Sequence, residues 1–188
     1  MAGKLILETE RLLLREFDEG DVGPFYRMGT DPDVTRYTGV GALTSPEHAL
    51  EIMRAYPLAD YRKYGYGRWA CVWRPSGEVI GFAGLKYLAD LGEVDIGYRL
   101  FPEYWGRGLA TEASRAALDY GFDRLGLKEI IGLVAPENLA SVRVLVKLGM
   151  TFTGLMDYQG QGVARYAIQA RGAPARADGI MSPGVSDP

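Results

Sequence analysis

The chain of 188 residues has one cysteine, Cys71, so no disulfide can form within it, and one histidine, His48, so a metal site would have to be built almost wholly from carboxylates. Cys71 lies in the apolar run WACVW and reads as a buried, reduced thiol rather than a nucleophile. No clustered spacing of acids suggests a metal centre, and none is expected. No apolar run approaches the length of a membrane span, and the opening MAGKLILETERLLLREF lacks a long apolar segment with a cleavage site. The expected setting is cytoplasmic, without a membrane partner. Positive charge is not in excess either: 21 Lys and Arg against 24 Asp and Glu give a net charge of -3, which offers a nucleic-acid backbone no cationic field.

What is present is the composition of a folded globular protein, 47% apolar and 24% charged, in a length that suits one domain. That domain is expected over residues 1–172. The remainder, 173–188, is rich in proline and glycine without a period and is expected to be a disordered tail. Residues 5–17 read as a leucine-rich strand, followed by short helical pieces around Asp18, Asp21 and Asp31. Ser45 before Pro46 and Glu47 marks the start of a helix running to about Tyr56. GRWACVW, VIGFAGLKYL and EVDIGYRL read as three strands of an antiparallel meander joined by tight turns. The period then changes to that of a helix over Thr111 to Leu125, with KEIIGLVA as the next strand, so a right-handed crossover with parallel pairing is expected there. ENLASVRVLVKLG reads as a second helix, capped by Asn138 and closed by Gly149, and residues 150–170 as two strands about a Gly-Gln-Gly turn.

Between EVDIGYRL and the helix stands Trp105-Gly106-Arg107-Gly108-Leu109-Ala110-Thr111. The first amides of a helix have no internal partners and carry partial positive charge, so an anion fits there. Small residues at alternate positions let a diphosphate approach, and Arg107 adds a charge-assisted contact. The same spacing also suits close packing of a helix on a sheet. Neither the dinucleotide fingerprint, which would need a small residue at Thr111, nor a phosphate loop of the GxxxxGK[ST] type fits the chain.

Taken together, EVDIGYRLFPEYWGRGLATEASRAALDYGFDRLGLKEIIGLVAPENLASVRVLVKLGM and the opening LETERLLLREFDEGDVGPFYRMGTDPDVTRY resemble the GNAT acetyltransferase superfamily, specifically its RimJ/RimL-type branch, over residues 5 to about 170. The resemblance implies an α/β (α+β) single-domain GNAT fold: a mixed, mostly antiparallel sheet of about seven strands with about four helices and one parallel strand–helix–strand crossover. It implies acetyl-CoA as acetyl donor and a primary amine as acceptor, either a protein N-terminus or a small molecule, in a monomer or a homodimer. Its acetyl-CoA signature falls on Trp105 to Ala110, with Trp105 replacing a polar first residue. Amides from Gly106 to Thr111 would hold the pyrophosphate, and the main chain of Tyr98, Arg99 and Leu100 would pair with pantetheine as a further strand.

Transfer to an amine requires removal of a proton, since amine pKa values lie near 8 to 10. Strand alternation places Glu93, Asp95, Gly97 and Arg99 on one face and Val94, Ile96, Tyr98 and Leu100 on the other. Glu93 and Asp95 are therefore the candidate bases, and Asp95 matches the register at which some family members carry a glutamate base; a solvated strand edge would have the same pattern. By the resemblance, Asn138 contacts the pantetheine arm and Ser141 protonates the departing thiolate, although a plain cap and first-turn serine read identically. The tyrosine that many members use four residues beyond that serine is Leu145 here, which excludes that version of the acid. Trp69, Tyr37 and the loop from Asp157 to Gly162 are candidates for lining the acceptor pocket. A non-catalytic acyl-CoA-binding module is the competing function.

Overall fold

The computed structural model describes residues 3–38 and 43–171. The leucine-rich opening divides into two strands, β1 (Leu5–Glu8) and β2 (Leu12–Arg15), paired as a hairpin. Its turn is closed by Thr9, whose amide donates to the Leu12 carbonyl at 2.9 Å and whose hydroxyl accepts from the Leu12 amide at 3.0 Å. A short 3-10 turn at Glu19–Asp21 follows, capped by Asp18, and Asp21 is held by both terminal nitrogens of Arg15 at 2.6 and 2.7 Å.

Four helices come next: α1 (Val22–Thr30), α2 (Pro32–Thr35), α3 (Pro46–Ala55) and α4 (Pro57–Tyr64). Asp31 and Ser45 cap α2 and α3 through their side chains, as their sequence positions predict. The meander is β3 (Arg68–Trp73), β4 (Glu78–Leu88) and β5 (Glu93–Leu100). Then α5 (Leu109–Asp123), β6 (Glu129–Val134), α6 (Leu139–Lys147), β7 (Thr151–Tyr158) and β8 (Gln161–Gln169) complete the described chain.

The strands form one sheet in the order β1-β2-β3-β4-β5-β6-β8-β7, antiparallel throughout except for β5 and β6. The hairpin at the start brings the count to eight strands, where the sequence reads as one long strand over 5–17. The last hairpin turns at Gln159–Gly160, one residue earlier than the Gly-Gln-Gly reading places it. Both residues are left-handed, φ 54° and 78°, the twist that a two-residue hairpin turn prefers. The tail expected from residue 173 lies outside the described residues.

Each face of the sheet carries its own core. On one, Trp69, Leu85, Ile96, Ala113, Ala117, Leu118 and Ile130 are packed with α5. On the other, Phe17, Met28, Met53, Ala70, Phe82 and Phe101 lie with α1 and α3. Trp69 is 1% exposed and meets Tyr120 of α5 edge to face, which removes it from the residues expected to line an acceptor pocket; Tyr37 is exposed. Cys71 is fully buried, and burial pushes its thiol far above the usual range, so it has no thiolate to offer.

Candidate active site

The parallel strands β5 and β6 pair at Asp95 and Ile131 and at no further position among the described residues. Beyond that point they fork. Val94, Ile96 and Leu100 turn into the core under α5, as alternation requires, while Glu93, Asp95, Gly97 and Arg99 share the opposite face. The Asp95 carboxylate sits in the fork: its Oδ1 accepts the Leu133 amide of β6 at 3.0 Å, and its Oδ2 faces the Arg68 guanidinium at 2.5 Å. Asp95 is buried, not on the solvated strand edge that its polar neighbours also allowed. Burial pushes its carboxyl up to about 6, against the Arg68 charge and the Leu133 amide, both of which favour the anion.

Arg68 of β3 reaches Asp95 across β4, and its guanidinium can lie over β5 because residue 97 is glycine. A Cβ there would collide with Nη1 and Cζ of Arg68. Gly97→Ala must therefore push the guanidinium off Asp95. Loss of that positive neighbour raises the Asp95 pKa further, so a rate that depends on the Asp95 anion should develop at higher pH than in the wild type. A pH–rate profile of Gly97→Ala that overlays the wild type would contradict this arrangement.

Glu93, the other candidate base, is bound to Arg165 of β8, at 2.5 and 3.3 Å, and Arg165 also meets Glu129 of β6 at 3.0 Å. The three side chains hold β5, β6 and β8 together. On the far side of the fork, the Tyr98 hydroxyl donates to the Ser141 carbonyl at 3.1 Å, and burial pushes the phenol up to about 12. Asn138 caps α6, its Oδ1 accepting the Ser141 amide at 3.1 Å. Leu145 is buried beneath Gly132.

At the open end of β5 the chain passes through a 3-10 turn, Pro102–Tyr104, into the glycine segment. The Trp105 indole donates to the Leu100 carbonyl at 2.7 Å, tying the segment to the strand end, so this side chain takes a structural place in the signature. Gly106 and Gly108 have φ of 73° and 77°, a conformation that side-chain-bearing residues rarely adopt. Around a Cβ on Gly106 nothing would lie within 4 Å; it is the backbone, not space, that requires glycine there. Gly108 is the residue before α5 and gives no side-chain cap, which leaves the amides of the first turn directed outward.

The β1–β2 turn secures this helix end. Glu112 of α5 accepts from the Thr9 hydroxyl at 2.6 Å, the Arg11 amide at 2.9 Å and Arg11 Nε at 2.7 Å, while Arg11 Nη1 donates to the Arg107 carbonyl at 2.9 Å. Burial works against the Glu112 charge, but these bonds outweigh it and hold the carboxyl below its usual range. Arg68, Arg11 and Glu112 were not legible as site residues. The signal for Arg68 is the cross-strand row Arg68, Gly84, Gly97, which exists only once the strand register is known. Among the described residues no group of three His, Cys, Asp or Glu is arranged to hold a metal, and no helix is long and apolar enough to cross a membrane.

A forked parallel pair ending at an uncapped helix start on two left-handed glycines places this chain among the acetyltransferases. Residues 11–151 match the model of the acetyltransferase (GNAT) domain, and the chain belongs to that family and is an acyltransferase. It is 34% identical over 170 residues to the uncharacterized N-acetyltransferase YoaA of Bacillus subtilis (strain 168), covering 90% of this chain and 91% of that one. The crystal structure of an acetyltransferase from Agrobacterium tumefaciens str. C58 is 27% identical, with a TM-score of 0.76 over 87% of this chain and 93% of that one. RimL, a ribosomal L7/L12 α-N-protein acetyltransferase solved with coenzyme A, shares the fold at a TM-score of 0.76 and 20% identity, over 89% and 98% of the two chains.

Proposed function

We propose that the chain transfers the acetyl group of acetyl-CoA to a primary amine, a protein N-terminus or a small molecule, in the manner of the RimJ/RimL-type branch. The observation that carries this reading is the fork of β5 and β6, with a buried carboxylate of raised pKa at its base and an uncapped helix start at its mouth. Amides from Gly106 to Thr111, which find no acceptor among the described residues, with Leu109 and Ala110 between them and Arg107 alongside, suit a diphosphate. The edge of β5 that faces away from β4 over Tyr98, Arg99 and Leu100 suits an extended arm, with Trp105 fixing the angle between strand and loop and Asn138 on the opposite bank. Acetyl-CoA supplies an acetyl group already activated as a thioester.

The residues of this chain then have to move protons. Asp95 takes one from the incoming ammonium, so that a neutral nitrogen with a free lone pair meets the thioester directly. With its pKa raised to about 6, Asp95 is ionised at neutral pH yet more basic than an ordinary aspartate. Ser141 stands at the first turn of α6, where its hydroxyl can relay to the departing sulfur the proton that the attacking nitrogen sheds as the amide forms, recovering one proton as it gives one. Glu93, engaged by Arg165, serves the fork as a brace.

The test is release of free coenzyme A from acetyl-CoA in the presence of a panel of primary amines: polyamines, amino acids and N-terminal peptides of both charges. Turnover with at least one class is expected. A rise in melting temperature with acetyl-CoA, and no thiol release with any amine, would favour the non-catalytic binding module instead.

A further inference from the structure

The strand arginines on the α1/α3 face of the sheet are paired, with one exception. Arg68 has Asp95, Arg165 has Glu93 and Glu129, and Arg15 has Asp21. The half-buried Arg99 side chain makes no hydrogen bond or ion pair among the described residues. Its guanidinium lies 5.6 Å from the centre of the Phe82 ring, and that of Arg68 lies 5.7 Å from the same ring.

Loss of water and the neighbouring Arg68 charge pull the Arg99 pKa down to about 10. The dominant charge it feels is of its own sign. Arg68 Nε is a further buried donor without a partner among the described residues. Two guanidinium groups gathered on one aromatic floor, with the Asp95 carboxylate bound to only one of them, leave a positive charge that an anion would stabilise.

The position of Arg99 says whose anion this is. It stands on the same strand and the same face as Asp95, four residues away, or about 13 Å along the strand at roughly 3.3 Å per residue. The gap is spanned by Gly97 and the Arg68 guanidinium. The helix whose first turn suits the diphosphate, α5, packs against the opposite face. Building on the acetyltransferase reading, we propose that Arg99, with Arg68 beside it, forms an anion subsite for the acceptor, so that the amine acetylated by this protein carries a carboxylate.

The experiment is an equilibrium titration of the full chain, saturated with coenzyme A, so that no turnover is needed. The probes are α-amino acids and ω-amino acids of about two to six carbons, each against its own carboxamide. At least one carboxylate should bind tenfold or more tightly than its amide, about 1.4 kcal/mol. Arg99→Met should abolish the advantage, and Arg99→Lys, which keeps the charge, should restore part of it; melting curves of both variants confirm that they fold. Equal affinity within every pair, binding by neither member, or an advantage that survives in Arg99→Met would each overturn the proposal. So would a loss of coenzyme A affinity in Arg99→Met as large as the loss for the carboxylate, since the guanidinium would then serve the cofactor phosphates. If the wild type fails to bind coenzyme A, the acetyltransferase reading falls; the same pairs titrated without cofactor still decide the carboxylate preference of Arg99.

Discussion

Asp95→Asn should lower turnover by about 10²- to 10⁴-fold, the range for removal of a general base, while acetyl-CoA still raises the melting temperature. The substitution is close to isosteric, and its oxygen can keep accepting the Leu133 amide. The lost properties are therefore proton affinity and the ion pair with Arg68, while the bond across the fork to β6 is kept. The pH dependence carries the sign. In the wild type, the rate should climb as pH rises through about 6, where Asp95 becomes ionised, and the variant should lack that limb. Stability should run the other way. A carboxyl with a raised folded pKa binds more protons folded than unfolded between about 4 and 6, so its contribution declines as pH rises through that window. A variant that retains turnover within a few-fold of the wild type would remove Asp95 from the chemistry and leave it only its strand contacts.

Gly108→Val should separate a ligand cradle from a packing motif. At φ 77° a β-branched side chain is strained by about 1–2 kcal/mol, so some loss of melting temperature is expected on backbone grounds alone. The nearest atom to a Cβ there is Arg11 Nη2 at 3.7 Å, an ordinary van der Waals contact with the far end of a flexible side chain. If the amides at the start of α5 bind a diphosphate, the introduced isopropyl group stands over them or turns them aside, and acetyl-CoA affinity should fall by at least about tenfold, roughly 1.4 kcal/mol. Ligand at a hundredfold over its dissociation constant adds about 2.7 kcal/mol to the wild type, so the difference can be read from paired melting curves. A variant with a lower melting point but an undiminished shift on adding acetyl-CoA would make the glycines a packing device.

The sequence carried much of this in advance, and the exceptions share a cause. Caps at Asp31, Ser45 and Asn138 are local: one side chain meets amides two or three residues on, and spacing reveals them. The meander and the crossover follow from period and turn residues, and the two left-handed glycines from their place between strand and helix. The break at Thr9 to Arg11 has no glycine, proline or asparagine to announce it; it is secured by Glu112, about a hundred residues away, through Thr9 and Arg11. Trp69 lies in the core rather than at a pocket because alternation fixes which residues share a face but not which face meets α5. The Arg68–Asp95 pair and the isolation of Arg99 depend on register across three strands, which no single stretch of sequence contains.

The most direct test of the central claim is a coenzyme A titration followed by the backbone amide resonances of residues 106–111. Those amides should shift most, and saturate with the same dissociation constant as the calorimetric binding curve. Saturable binding that leaves them unmoved, with the perturbation centred elsewhere on the sheet, would contradict the assignment of this helix start to the cofactor.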